Sequence, residues 1–142
     1  MVDTKELMIG DYVRVVSKGL KQMPIVKVTA VYDRGISTHI NGKHKVLLYD
    51  ELEPIMFNYG LAVNNGFKTT DNFTWTHKDK DGMVDFEFTV YPDDYGKSSI
   101  YYLSVAIWGF KKASIKYVHE FQHALRMCGL MDMADNLIKM NE

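Results

Sequence analysis

The chain is short of cysteine, short of proline and free of long apolar runs, and each shortage closes off a class of protein. One cysteine, Cys128, among 142 residues excludes an internal disulfide and a multi-cysteine zinc site, and it suits a reducing compartment. Three prolines and ten glycines are too few for a collagen-like or low-complexity chain. The longest apolar stretches, such as 103–110, are strand-length and cannot cross a bilayer as a helix. The opening, Met1-Val2-Asp3-Thr4-Lys5-Glu6, lacks the apolar segment of a secretory signal. No sign of charge dominates either: 17 basic against 18 acidic residues leave a net charge of −1, which implies no general polyanion-binding surface. The expectation is a soluble, cytoplasmic protein with no membrane partner.

What is present is ordinary globular composition. Hydrophobic residues make up 46%, charged residues 25% and aromatics 13%, so a core can be built from large rings. The length allows one domain or two very small ones.

Residues 1–55 read as closely spaced short strands with no helical period. The run 12–16 is β-branched and partly alternating, and 25–32 places Val26, Val28 and Ala30 on one face before the turn signal Asp33-Arg34-Gly35. Strands at 36–40 and 43–49 flank Asn41-Gly42, a strong two-residue hairpin cue because both turn positions need φ > 0. A last stretch at 50–55 carries Pro54, which suits an edge. Four or five strands in about 50 residues suggest an SH3-like small β-barrel.

Residues 56–142 read as a second, α+β unit. A short helix within 56–66 ends at Gly66, the left-handed C′ position. Three antiparallel strands follow at 73–78, 83–91 and 100–108; in the second, Val84, Phe86, Phe88 and Val90 alternate with Asp85, Glu87 and Thr89. Ser114 is a candidate N-cap for a helix over 115–128, closed by Gly129. Ile115, Val118, Phe121, Leu125 and Cys128 form its core stripe, and that spacing turns His119, Gln122, His123 and Arg126 toward solvent. A further amphipathic segment at 132–140 carries Met133, Leu137 and Met140.

One motif asks for chemistry. His119-Glu120-Phe121-Gln122-His123 matches H-E-x-x-H, in which two histidines one helical turn apart hold Zn²⁺ while the glutamate acts as general base on bound water. Chance gives such a match in on the order of one shuffled chain in a hundred of this composition. A catalytic zinc needs a third protein ligand, and the extended H-E-x-x-H-x-x-G-x-x-H form fails at Arg126 and Gly129. Cys128, Asp132, Asp135 and Glu142 are the candidates after His123, and no spacing rule selects any of them. The plainer expectation is a solvated helix face with no metal, no cofactor and no catalytic residue. Residues 77–82 echo half of a calcium loop but lack its first and last acids, and read better as a hairpin turn at Gly82. Arg14, Lys18, Lys21, Lys27 and Lys43 with Tyr12 and Tyr32 could form a basic-aromatic patch for a nucleic-acid partner, or simply a solvated surface.

Several stretches together resemble a family of short uncharacterised proteins of gut anaerobes and their phages or mobile elements. Glu6-Leu7-Met8-Ile9-Gly10-Asp11-Tyr12-Val13 is similar to its "ELRIGN-aromatic-V" opening, and Leu52-Glu53-Pro54-Ile55 to its "LEPIPL". Asn65-Gly66-Phe67 is similar to its "GF", and residues 115–123 to its "IKYVHQLQN" helix. The family has no established activity, so the resemblance implies no functional residue. Where its members read His-Gln-Leu-Gln-Asn, Glu120 and His123 are departures, which the resemblance implies arose by drift.

The sequence therefore leads to an α+β protein with an N-terminal SH3-like barrel, then a three-stranded antiparallel sheet packed by a C-terminal helix. The expected function is a non-catalytic binding or accessory protein, with an unknown protein or nucleic-acid partner. The alternative is a small zinc metallopeptidase with His119 and His123 as ligands and Glu120 as base, and a third reading is a nucleic-acid-binding small barrel. The oligomeric state is open.

Overall fold

β-Branched runs broken by tight turns become strands because each turn supplies the backbone angles that reverse the chain. The computed structural model describes residues 6–16, 23–91, 102–105 and 114–138. In the N-terminal part, β1 (Tyr12–Val15) lies between β2 (Ile25–Lys27) and β6 (Leu52–Glu53), both antiparallel to it. A second sheet has the order β3 (Ala30–Val31), β4 (Gly35–Ile40), β5 (Lys43–Leu48). The run expected as one strand at 25–32 is divided between the two sheets. The Val28 N–H donates to the Asp11 carbonyl and the next N–H, of Thr29, donates to the Ser37 carbonyl, both close to 2.9 Å. Asn41 and Gly42 turn β4 into β5 with φ of 52° and 78°, as a two-residue hairpin requires. A single turn of 3-10 helix, Tyr49–Glu51, leads into β6. Leu7, Val13, Val15, Val26, Val28, Ile36, Leu47, Tyr49 and Leu52 form one apolar cluster between these sheets.

Helix α1 (Tyr59–Asn64) follows, capped by the Asn58 side chain on the Leu61 N–H and ended by Gly66 at φ 85°. The sheet after it has five strands rather than three, in the order β11-β10-β9-β8-β7. Its middle members β8 (Thr74–Lys78), β9 (Val84–Tyr91) and β10 (Tyr102–Val105) lie where the sequence puts them. The edges β7 (Lys68–Thr69) and β11 (Ser114–Ile115) are two residues each, too short to show a period. The rest of the strand expected at 100–108, and Met140, lie outside the described residues.

Ser114 does not cap the long helix. Its backbone and that of Ile115 pair with Ser104 and Leu103, so α2 starts later and runs over Val118–Met127, with Tyr117 at the N-cap. The Tyr117 N–H is taken by Glu120, the Val118 N–H by the Ile55 carbonyl, and the Lys116 carbonyl accepts from Phe57. Val118, Phe121 and Leu125 are buried as the stripe demands, against Phe57, Phe67, Trp75, Phe86 and Phe88. The rings meet at centroid distances from 4.8 to 6.5 Å, and full burial of each is worth about 1.5–3 kcal/mol. Val84, expected inward, is half exposed: the register shift at His77/Lys78 leaves it opposite Lys78 at the end of the hairpin. Helix α3 (Met131–Asp135) closes the described chain, with Ala134 and Leu137 in the same core. Tyr12 of β1 also belongs to this second core, whereas Val13 and Val15 belong to the first.

Candidate functional site

The face of α2 opposite its core stripe is not solvated. His119 and Gln122 are 1% and 0% exposed, and the Arg126 side chain 9%. This face docks on residues 6–12, where a loop and the start of β1 present groups that must be satisfied once water is removed. Gln122 does so for two of them and for one carbonyl of α3. Its Nε2 donates to the carbonyls of Gly10 (2.9 Å) and Ala134 (2.8 Å), and its Oε1 accepts the Tyr12 N–H at 2.9 Å.

Asp11, fully buried, sits beside it. Its Oδ2 accepts the Met8 N–H at 2.8 Å and lies 2.6 Å from His123 Nε2, while Oδ1 accepts from Arg126 Nη1 at 2.6 Å. Arg126 reaches on to Asp135 at 3.4 Å. Gly10, at φ 93°, admits the guanidinium: a Cβ there would stand 2.8 Å from Arg126 Nη2 and 2.9 Å from Asp135 Oδ1. The Tyr12 hydroxyl donates to the carbonyls of Asp135 and Ile138, and burial pushes its pKa up. Lys27 Nζ also donates to the Asp135 carbonyl.

The three residues of the H-E-x-x-H motif are thus placed apart in role. His119 stacks on Tyr117, with Nε2 3.4 Å from Glu6 Oε2 and Nδ1 buried without a partner. His123 faces Asp11. Glu120 turns back along the helix, where Oε1 accepts the N–H groups of Lys116 (3.1 Å) and Tyr117 (2.9 Å), the reciprocal half of a capping box. Of the candidate third ligands, Asp135 is on Arg126 and the Cys128 thiol donates to the Ala124 carbonyl. Asp132 opens α3, and Glu142 lies outside the described residues. Among the described residues no three His, Cys, Asp or Glu side chains converge as metal ligands. Burial pushes the Cys128 thiol up to about 11, so it is a protonated, unreactive group at neutral pH.

The basic-aromatic set is scattered. Tyr12 is buried, Arg14 lies 3.7 Å from Glu53, Lys27 serves α3, and Lys18 and Lys21 lie outside the described residues. Residues 79–83 form the expected turn, with Asp79 Oδ1 accepting the N–H groups of Asp81 and Met83.

Sequence reasoning missed a polar groove on the β7–β8 edge. It encloses about 450 Å³ and is lined by Gly66, Lys68, Thr70, Thr74, Thr76 and Lys78. The turn beside it is fixed by Asp71, whose Oδ1 accepts the N–H groups of Phe73 (2.9 Å) and Thr74 (2.8 Å). Those bonds hold its carboxyl below the usual carboxylate range. The Lys68 and Lys78 ammonium groups and the hydroxyls of Thr70, Thr74 and Thr76 have no side-chain partner among the described residues. Among the described residues no acidic side chain lines the groove. Its one sequence signal is Thr74, Thr76 and Lys78 alternating on the wet face of β8.

Against this geometry the chain was compared with protein-family models, curated proteins and solved structures. None matches.

Proposed function

We propose that the protein is a non-catalytic binding protein that takes a phosphate-bearing small ligand in the Lys68–Lys78 groove. The observation that carries this is where polar groups are spent. Glu120 and His123 of the H-E-x-x-H segment hold bonds inside the protein, whereas the two ammonium groups and three hydroxyls lining the groove have no side-chain partner among the described residues. A phosphate oxygen accepts from both kinds of donor, and charge-assisted hydrogen bonds of this type are worth about 1.5–3 kcal/mol each. Glu87, opposite Thr76 on β9, repels an anion that spreads beyond the β7–β8 side, which favours a compact ligand. The N-terminal part we read as an SH3-like barrel, supported by the run 25–32 that passes from one sheet to the other as β2 and β3 and by the 3-10 turn before β6. With the resemblance noted above, this reading makes the protein a cytoplasmic accessory factor of a phage or mobile element. No helix among the described residues is long and apolar enough to cross a membrane.

Titration of the whole chain with inorganic pyrophosphate and with nucleotides, followed by calorimetry, tests the reading. Binding is expected to weaken roughly tenfold in Lys68→Ala and again in Lys78→Ala, with the fold intact by circular dichroism. Binding indifferent to both substitutions overturns it. Oligonucleotide binding lost in Arg14 and Lys43 variants instead favours the nucleic-acid barrel. Peptide cleavage lost in Glu120→Gln, together with zinc lost in His123→Asn, favours the metallopeptidase.

A further inference from the structure

The β4–β5 hairpin carries two histidines that take no part in the reading above. His39 and His44 are directly opposed across the hairpin, one pair away from the Asn41-Gly42 turn. Residues flanking a two-residue turn form a hydrogen-bonded pair, so the next pair out, His39 and His44, is of the close, non-hydrogen-bonded kind. Side chains of such a pair leave the sheet on the same face. Both are exposed, and their rings meet edge to face with centroids 5.7 Å apart. None of the four ring nitrogens has a partner among the described residues. Lys43 and Lys45, the neighbours of His44 along β5, alternate onto the other face.

We propose that His39 and His44 form a bidentate site for a divalent transition-metal ion, Zn²⁺ or Ni²⁺. Two imidazoles on one tetrahedral ion, each about 2.0–2.1 Å from it through nitrogen, have ring centroids roughly 5 Å apart. The observed spacing needs a closure of less than about 1 Å, which exposed side chains make by small torsions. His119 and His123 are spaced alike, at 5.8 Å, so spacing does not separate the two pairs. Nitrogen freedom does: His123 Nε2 is against Asp11 and His119 Nε2 faces Glu6, with its other nitrogen buried. An ion on the hairpin would be completed by water and would tie the ends of β4 and β5 together.

The test is calorimetric titration of the chelator-treated full chain with Zn²⁺ at neutral pH, with NMR line broadening by Ni²⁺ as a locator. One equivalent is expected to bind, with broadening centred on residues 37–46. Losing one of two linked ligands removes the advantage of the second, so His39→Asn and His44→Asn should each weaken binding roughly 100-fold. Protons compete for the same nitrogens, so uptake should fall on acidification. The proposal is overturned if both variants bind like the parent, if broadening centres on His123, or if binding never saturates at millimolar metal.

Discussion

Asp11 is a single carboxylate shared by a guanidinium, an imidazole and a backbone N–H, with no access to water. A buried charge is tolerable only while its partners hold it, so the group is worth most as a member of the set. Asp11→Ala leaves Arg126 buried without its main counter-charge, and should lower unfolding stability by about 3–5 kcal/mol in a denaturant titration. A loss under about 1 kcal/mol would mean that water reaches Arg126 and replaces the carboxylate. The sequence holds no sign of this arrangement. His119, Gln122, His123 and Arg126 are polar and spaced as a solvated face is spaced, and a buried polar face has the same spelling. What buries them is the Gly10-Asp11-Tyr12 segment, 110 to 115 positions away for the bonds that matter, which periodicity cannot see.

At the scale of elements, local chemistry was readable and boundaries were less so. Asn41-Gly42, Gly66 and the 118/121/125 stripe could be read because turn angles and helical period depend on neighbours in the chain. The start of α2 could not, because it is set by a contest. Ser114 and Ile115 have the choice of capping a helix or completing a sheet edge, and pairing with β10 wins. Glu120 then supplies the cap from inside the helix, which gives the glutamate of the motif a structural task. Glu120→Gln keeps an acceptor at the third helical position and should cost under about 1 kcal/mol, whereas Glu120→Ala removes the cap and should cost about 0.5–2 kcal/mol. Thermal melts of the two variants check this: equal losses would mean the carboxylate bonds are not formed in solution. Gly35 shows the other limit. Read as a turn residue, it opens β4 with the place of its missing side chain taken by the β5 backbone, where a Cβ would fall 2.1 Å from the Leu47 carbonyl oxygen.

On the scale of the whole molecule, β1 belongs to both halves. Alternate residues along it enter different cores, Val13 and Val15 with the first sheets and Tyr12 with α2 and the five-stranded sheet. The Asp11–Gln122–Arg126 junction binds the beginning of the described chain to its end, and that has a consequence in time. Contacts this distant in sequence are the slowest to form, since the intervening chain must first be ordered. During synthesis the junction cannot close until residues 122–135 exist. Interactions made after the rate-limiting step govern how fast a protein comes apart rather than how fast it forms. Asp11→Ala should therefore leave the refolding rate close to that of the parent and speed unfolding, by stopped-flow measurement, by nearly the whole stability change. The junction would then act as a latch on the protein's lifetime, closed last and setting how long the folded chain survives.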